Sequence, residues 1–537
     1  MPLLSLGAIA LAAACGPSVM SDPGRDAPTA DALVTVADAP APRVVFPVDP
    51  ILDPGVPAGA PGAFGNPSTG GAGGPCLTEP VAGSLLPAHF LRLRFVMTPT
   101  AGENLFEVRL HVASIDHDLV AYTQSTTWTI PAAIWAAMND TLVDQPISFS
   151  VRSGRWNGSA LVGAPLIGSY GNFRIAPAVA SGTIVYWTNG GNNSVTAFKG
   201  FRMGDETVAP VLGPSNVGGD VVCVGCHSST PDGKYVAFSA ATDRVRGDYT
   251  HVEVRSVDGL ATQPPFLTPS ALTLLARNPN QEAPLFSPGH WADGDHKMLS
   301  MFPVANRPEI VWTDLEAAST VQNEGWGVVT RDGDIGQAGA AAWSHDGKTI
   351  AYSSGPLVTS GMNLDDAHGD IYTVPFNGGV GGTATPLPGA SDPAYTEHYA
   401  AFSADDKLIA FVRVGGTDNP YNNPLSEVFV VPATGGTPKR LAANDPLGCS
   451  AAASPGVHNT WPKWSPATAT VDGVTYYWLT FSSTRAAAGV PQLYVAPITV
   501  DATGSIATYP ALYLWNQPPG EHNHTPAWDA FDIPPVN

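Results

Sequence analysis

Apolar and polar residues alternate with a period of two along most of the chain from residue 77 onward. Such alternation is typical of β-strands that bury one face, and it is clear in HFLRLRFVM (89–97) and LFEVRLHVAS (105–114). Turn-forming Gly, Pro, Asn and Asp separate these segments. The segment PAAIWAAMN (131–139) is the one short helix that we predict. The pattern therefore predicts an all-β protein.

The strands predicted between residues 76 and 175 form a first group. DLVAYTQSTTWTI (118–130) and ISFSVRSGRW (147–156) continue the alternation, and turns separate the strands at roughly the spacing of a β-sandwich. We therefore predict a small β-sandwich of the immunoglobulin or fibronectin kind over residues 76–175.

Beyond about residue 176 the chain repeats a strand–turn–strand unit. The turn reads Ser-x-Asp-Gly or a variant and follows an apolar or aromatic residue. The five units are HSSTPDGKYVAFSA (227–240), APLFSPGHWADGDHKMLSM (283–301), AAWSHDGKTIAYSS (341–354), AAFSADDKLIAFVR (400–413) and PKWSPATATVDGVTYYWLTFSS (462–483). A period of some 40 to 60 residues with four short strands per unit is typical of β-propeller blades.

The two ends of this region complete one another. HTPAWD (524–529) matches the start of a unit but has no strands after it, while TIVYWTN (183–189) and SVTAFKGF (194–201) are later strands with no first strand. We therefore expect the C-terminal strand to close the ring against residues 183–212 and leave no open edge. This predicts six blades over residues 176–537.

The repeats resemble the TolB-like propeller repeat. The resemblance rests on the "SPDGK-x-IAF" turn and on the "FSS-x-R" ending, which is Phe481-Ser482-Ser483-Thr484-Arg485 here. It covers about two-thirds of the chain. It implies a six-bladed TolB-like propeller and says little about function.

Composition excludes two classes of partner. Lys and Arg number 25 against 46 Asp and Glu, so the formal net charge is −21. A phosphate backbone or an anionic lipid surface would be repelled, which argues against nucleic-acid binding and polybasic membrane binding. The 56 Gly and 52 Pro agree with a chain that turns often.

The N-terminus looks like an export signal. Residues 1–14 include an apolar run that ends in small residues before Cys15, and the run resembles a bacterial lipobox, although Ala12 stands where Leu is usual and no Lys or Arg precedes it. Residues 15–75 are rich in Pro, Ala and Gly and predict a tether. We therefore expect lipidation at Cys15 and a periplasmic or cell-surface protein, an outer-membrane lipoprotein of a Gram-negative bacterium. A buried segment of a cytosolic protein is the alternative.

Four further cysteines form two pairs. Cys76 and Cys449 are far apart in sequence, and an oxidising compartment could join them in a disulfide; two buried thiols are the alternative. Cys223, Cys226 and His227 form C-x-x-C-H, the attachment signal of c-type haem. Two thiols at that spacing can form thioethers to one haem, and the following His can bind its iron. A structural disulfide, a thiol pair or another metal site are the alternatives.

The resemblance to TolB-like proteins sharpens at this motif. C-x-x-C-H followed by a variant of "SPDGK" looks like a group of exported bacterial proteins in which a haem motif is built into a blade. His227 begins the second blade's innermost strand, so we expect the haem beside the central channel.

Six-coordinate haem needs a second axial ligand. His524, or else His522, belongs to the blade that neighbours the motif and is the candidate that we favour. Met298 and Met301 are further candidates on the other neighbouring blade, and His398 and His458 lie at other blade starts. The alternative for each His is a hydrogen-bonded turn residue.

These observations predict a c-type haem protein that acts in electron transfer or redox sensing and docks on a basic redox partner or an envelope component. An electron carrier or a binding protein is favoured over an enzyme, and a haem peroxidase is a further option. The alternative from another class is a non-redox scaffold that binds a protein or an envelope glycan, with the Cys pair as a disulfide.

Overall fold

The computed structural model describes residues 46–100, 102–190, 196–242, 250–277, 281–356, 369–416, 423–486 and 489–534. The predicted signal segment, Cys15 and the first part of the predicted tether lie outside the described residues. The described chain from residue 46 belongs to one compact unit.

The N-terminal part of the described chain alternates short strands with two helices. Its elements are β1 (Ile51–Leu52), α1 (Ala60–Phe64), β2 (Gly71–Ala72), β3 (Cys76–Glu79), β4 (Ser84–Ala88), β5 (Arg94–Thr98), β6 (Leu105–His111), β7 (Leu119–Thr123), β8 (Thr127–Thr129), α2 (Ala132–Thr141), β9 (Ile147–Gly154) and β10 (Leu166–Val179).

These strands form two sheets that share one hydrophobic cluster. One sheet has the order β1-β7-β6-β9-β10-β2, with β4 also paired to β10, and the other has the order β3-β5-β8. Phe95 of β5 and Phe149 of β9 meet in the cluster, with ring centroids 6.0 Å apart. Helix α2 lies where the sequence predicts a helix.

The part of the predicted tether that the structure describes is packed rather than loose. Residues 51–52 pair with β7 in parallel, and residues 71–72 pair with β10. Phe46 and Phe64 are fully buried. The expectation of a tether as far as residue 75 is therefore too long, because two aromatic side chains bury enough apolar surface to order the segment.

The rest of the described chain is a long succession of strands. Its elements are β11 (Thr183–Asn189), β12 (Thr196–Arg202), β13 (Ala209–Leu212), α3 (Pro214–Val217), β14 (Cys223–Ser229), β15 (Tyr235–Ala241), β16 (His251–Ser256), α4 (Pro269–Leu275), β17 (Glu282–Leu285), α5 (Pro288–Ala292), β18 (Lys297–Val304), β19 (Arg307–Asp314), β20 (Trp326–Val328), β21 (Thr330–Asp332), β22 (Gln337–Trp343), β23 (Thr349–Gly355), β24 (Asp370–Pro375), β25 (Gly381–Thr383), β26 (Thr385–Pro386), β27 (Tyr395–Phe402), β28 (Leu408–Gly415), β29 (Glu427–Pro432), β30 (Lys439–Arg440), β31 (Thr460–Trp464), β32 (Ala469–Val471), β33 (Val474–Ser483), β34 (Gln492–Val500), β35 (Ile506–Thr508), β36 (Leu512–Tyr513) and β37 (His522–Asp529).

These strands form antiparallel sheets that follow one another along the chain. We number them sheet 1 (β13-β12-β11-β37), sheet 2 (β14-β15-β16), sheet 3 (β17-β18-β19-β20), sheet 4 (β22-β23-β24-β26), sheet 5 (β27-β28-β29-β30) and sheet 6 (β31-β33-β34-β35, with β32 and β36 at its edges). The strands β21 and β25 form a separate parallel pair.

The succession of sheets returns to its start. The C-terminal strand β37 pairs antiparallel with β11, from Thr183 opposite Asp529 to Asn189 opposite His522, which is the pairing that the sequence predicts. A hydrophobic cluster fills each interface between consecutive sheets, and a last cluster joins sheet 6 to sheet 1 and to the N-terminal sheets. The all-β prediction is confirmed, and sheets stacked in sequence in this way have a propeller-type arrangement.

Candidate functional site

The C-x-x-C-H motif forms the first strand of sheet 2. Cys223, Cys226 and His227 belong to β14, which pairs with β15 and also contacts β37 and β17, the first strands of the neighbouring sheets. The motif therefore lies at the inner edge of sheet 2, where the first strands of neighbouring sheets meet.

Each of these inner strands carries a β-bulge at an equivalent position. The residue in the bulge has a positive φ in all six strands, and these residues are Cys226 (33°), Ala283 (53°), Ala340 (40°), Tyr399 (56°), Trp461 (52°) and Thr525 (48°). Each lies four residues before the first residue of its turn, such as Thr230 or Ser344. Bulges recur where a strand re-aims a side chain. Cys226 therefore occupies a position that the fold uses in every sheet.

Cys223 and Cys226 are not bonded to each other. Both are half-buried, and neither is in a disulfide. Residues three apart on an extended strand lie about 10 Å apart, beyond the range of about 4.4 to 6.8 Å between Cα atoms that a disulfide spans. The alternative of a structural disulfide between them therefore does not fit the strand.

His227 is buried in the interface between sheets 1 and 2. Its Nε2 donates to the carbonyl oxygen of Val185 over 3.0 Å, and its ring lies 4.3 Å from the ring of Phe198. Burial lowers the pKa of His227 to about 4, and the positive charge of Lys463 acts in the same direction. The imidazole is therefore neutral at physiological pH.

The donor set of the motif has the chemistry that covalent haem attachment needs. Two thiols outside any disulfide precede a neutral imidazole, and the buried Nδ1 of His227 has no hydrogen-bond partner in the structure. In metal-binding histidines one ring nitrogen is usually fixed by a backbone carbonyl or carboxylate while the other coordinates. The residues therefore fit haem in type, with Nδ1 of His227 as the nitrogen that the Val185 hydrogen bond leaves for the iron.

The favoured second ligand lies one aromatic ring away from the motif. The ring of His524 lies between Trp187 and Trp461, at 4.3 Å and 4.7 Å between ring centroids. The indole nitrogen of Trp187 donates to the carbonyl oxygen of Val224, inside the motif, over 2.7 Å. Burial lowers the pKa of His524 to about 3, and the neighbouring His522 adds to the shift. His524 is therefore also neutral, and Trp187 connects it to β14.

The other candidate ligands lie elsewhere. Met298 and Met301 are buried, the first in the cluster between sheets 2 and 3 and the second in the cluster between sheets 3 and 4. Apolar packing explains both, so we set them aside as ligands. His398 is buried beside Tyr399 on sheet 5, and His458 is half-buried in the loop before β31.

Cys76 and Cys449 form a disulfide, with their Cα atoms 5.8 Å apart. The bond joins β3 to the loop that precedes β31. In addition, Trp515, which follows β36, donates its indole hydrogen to the carbonyl oxygen of Arg92 over 3.0 Å. The N-terminal sheets are thus tied to sheet 6 covalently and by packing.

Two charged residues near the motif were not predicted as site residues from the sequence. Lys463 of β31 and Asp529 of β37 lie close enough to interact electrostatically, and Lys463 also interacts with Cys226. Their positions follow from the repeat, since Lys463 lies two residues after its bulge and Asp529 stands where other units have the Ser of the turn. Only the closed ring of sheets brings them together.

The described residues contain neither a candidate metal cluster nor a candidate membrane span. Among them we find no group of three or more His, Cys, Asp or Glu side chains arranged to hold a metal ion. No helix in the described part of the chain is long and apolar enough to cross a membrane.

Comparison with known proteins gives structural matches alone. No family model and no curated protein matches the chain. An ancestral GH74 enzyme matches with 11% identity and a TM-score of 0.38 over 63% of this chain and 39% of that chain. Hydrazine synthase of Kuenenia stuttgartiensis matches with 13% identity and a TM-score of 0.29 over 55% of this chain and 74% of that chain.

A GH43 endo-arabinanase of Bacillus licheniformis matches with 14% identity and a TM-score of 0.26 over 53% of this chain and 97% of that chain. Of these proteins, the GH74 enzyme is matched over about two-fifths of its own length. At these TM-scores the likenesses carry no argument about activity.

Proposed function

We propose that this protein is an exported TolB-like propeller that carries one covalent haem c and acts in electron transfer or redox sensing. In this proposal sheets 1 to 6 are six blades closed by β37, and the two N-terminal sheets form a β-sandwich. The motif Cys223-Val224-Gly225-Cys226-His227 is the single observation that carries it.

The proposal gives each residue of the motif a role. Cys223 and Cys226 would hold the haem by thioether bonds, and His227 would bind the iron as a neutral imidazole. Bound there, the haem would supply one-electron redox chemistry. His524, or else His522, would be the second ligand, and a neutral His524 next to Trp187 supports that choice.

The net charge and the predicted location of the protein support electron transfer to another protein. The net charge of −21 suits a basic redox partner, since opposite charge speeds encounter. The predicted lipid anchor at Cys15 would keep the protein in the periplasm or at the cell surface, and neither nucleic acid nor direct membrane contact is part of the proposal.

The test is an absorption spectrum with a pyridine haemochrome assay on the full chain, expressed together with a cytochrome c maturation system. We expect a sharp reduced α band that survives acid–acetone extraction, and we expect Cys226→Ala to lose it. The Cys76→Ala/Cys449→Ala variant is the matched control, because it removes two sulfurs on other elements and should keep the band. A folded but colourless wild-type protein would overturn the proposal.

One observation favours a second candidate. His227 is already held by Val185 and packed on Phe198, as a structural residue would be. In that case the protein is a non-redox scaffold that binds a protein or an envelope glycan, and Cys223 and Cys226 stay thiols. The colourless outcome of the haemochrome assay selects this candidate.

A further inference from the structure

A cavity lies between the N-terminal sheets and sheet 6, and none of the residues that line it belongs to the C-x-x-C-H motif. Its volume is about 380 Å³ including the open mouth, and the centre of a water-sized group can move through about 30 Å³ of it. One water needs about 10 to 15 Å³ by that second measure, so the cavity has room for about two groups of this size. A ligand would therefore insert a small group, and the rest of it would lie in the mouth.

The walls of the cavity come from two parts of the chain that the Cys76–Cys449 disulfide ties together. One wall is formed by β3, β4, β5 and the residues between them, and the other by β36, the residues around it and the loop before Cys449. Most lining side chains are apolar, and they include Leu86, Phe90, Leu91, Leu93, Leu447 and Leu512. A mostly apolar cleft between two packed units is a common place for a small-molecule site.

Two aromatic side chains offer ring surface to the cavity. The hydroxyl of Tyr513 donates to Oε1 of Gln492 over 3.1 Å, and the indole nitrogen of Trp515 donates to the carbonyl oxygen of Arg92 over 3.0 Å. Both aromatic residues are half-buried. Since their polar atoms already have partners, Tyr513 and Trp515 contribute apolar contact.

One ion pair supplies charged groups to the cavity. Nη2 of Arg94 donates to both carboxylate oxygens of Glu79, over 3.0 Å to each. The guanidinium has five N–H donors, and its buried Nε has no hydrogen-bond partner among the described residues. Its carbon lies 5.7 Å from the ring centroid of Tyr513 and 5.2 Å from that of Trp515. A charged donor and a charged acceptor are therefore held side by side with hydrogen-bonding capacity left over.

These groups favour a neutral ligand with hydroxyl groups. Glu79 would repel an anion and Arg94 a cation, because the two charges are only 3.0 Å apart. A hydroxyl group can accept from Arg94 and donate to Glu79 at once, which a ketone or an ester cannot. Arg92, which also lines the cavity, forms a second pair of this kind with Glu206 at 2.6 Å. Several hydroxyls combined with apolar C–H faces are the chemistry of a sugar.

We propose that this cavity binds a neutral hexose residue, whose hydroxymethyl group lies between Arg94 and Glu79 and whose ring packs in the mouth beside Tyr513 and Trp515. A hydroxymethyl group has two heavy atoms, which is the room that the cavity offers. No covalent bond forms or breaks. The inference goes beyond the proposed function and does not depend on haem.

The test compares two ligands, methyl β-glucoside and methyl β-xyloside, which has the same ring without the hydroxymethyl group. Saturation-transfer-difference NMR titrations on the full chain give the dissociation constant of each. We expect about 1 mM for the glucoside, the scale for a ligand of its size. The xyloside should bind at least tenfold more weakly, because it lacks the group that bonds to the two charged residues.

Variants then assign the binding to this cavity. Arg94→Lys keeps the positive charge beside Glu79 and removes the planar set of donors, so it should weaken the glucoside about tenfold and leave the xyloside within about twofold. A general loss of structure would weaken both ligands. Leu447→Phe, which narrows the cavity, should abolish detectable glucoside binding, whereas Val162→Phe, at an exposed position outside the cavity, should not change it. A thermal unfolding curve for each variant checks that it is folded.

Three outcomes would overturn the inference: no detectable binding of the glucoside, equal affinity of the wild type for the two ligands, or unchanged glucoside binding in folded Leu447→Phe. Samples made with and without haem maturation keep this inference separate from the proposed function, because the absorption spectrum and the NMR titration are read independently.

Discussion

The two cysteine pairs of this protein behave in opposite ways. Cys76 and Cys449 are 373 residues apart and form a disulfide, whereas Cys223 and Cys226 are three residues apart and do not. The difference comes from backbone conformation, because the extended strand β14 separates close neighbours while the packing of the N-terminal sheets on sheet 6 joins distant ones. Short spacing in sequence is therefore no guide to which sulfurs meet.

The contrast also separates two kinds of role. The distant pair closes a long loop, so its contribution should be to stability. The close pair is held at the inner edge of sheet 2 without forming a crosslink, so its contribution should be to chemistry. Each prediction below tests one side of this contrast.

The largest effect that we expect is from the distant pair. Replacing Cys76 and Cys449 by Ser should lower the free energy of unfolding by about 4 kcal/mol, because the crosslink no longer restricts the unfolded chain. Urea unfolding followed by tryptophan fluorescence measures this. A reducing agent should destabilise the wild type by a similar amount and leave the variant unaffected. Equal free energies of unfolding for the variant and the wild type would contradict a stabilising role for the disulfide.

The next effect compares the contributions of His227 and Cys223, two residues of the same motif, to the free energy of unfolding. In haem-free protein His227→Ala should lower the free energy of unfolding by about 2 to 3 kcal/mol, because it removes a buried ring from Phe198 and leaves the carbonyl oxygen of Val185 without its donor. Cys223→Ala, at a half-buried position, should cost less than about 1 kcal/mol. Urea titrations of the two variants compare them directly, and a smaller loss for His227→Ala than for Cys223→Ala would mean that His227 does not pack as described.

These contrasts show which features of the structure can be predicted from the sequence. The repeated turn predicts the succession of sheets, and the missing first strand before residue 183 predicts the pairing of β37 with β11. Both follow from local patterns that recur. The same repeat marks the bulge, since each bulge residue lies four residues before its turn, but nothing in a single unit shows that Cys226 has a left-handed backbone.

The environment of the site could not be predicted in the same way. The burial of His227 against Phe198 depends on how sheet 1 packs on sheet 2, and the proximity of Lys463 to Asp529 depends on how sheet 6 meets sheet 1. These are contacts between units, and their residues differ from one unit to the next. The packing of Phe64 was not predicted for a different reason, because the Pro- and Gly-rich composition around it masks an anchoring side chain.

The smallest effect that we expect concerns the backbone of Cys226. At a φ of 33° an L side chain is strained, and glycine is not. Cys226→Gly should therefore be about 0.5 to 1 kcal/mol more stable than Cys226→Ala, since both remove the thiol and only glycine relieves the strain. At Ser228, two residues along the same strand and outside the bulge, the order should be reversed, with Ser228→Ala more stable than Ser228→Gly. If glycine is the less stable choice at both positions, the bulge does not lie at Cys226, and the close pair is separated by an unbroken strand.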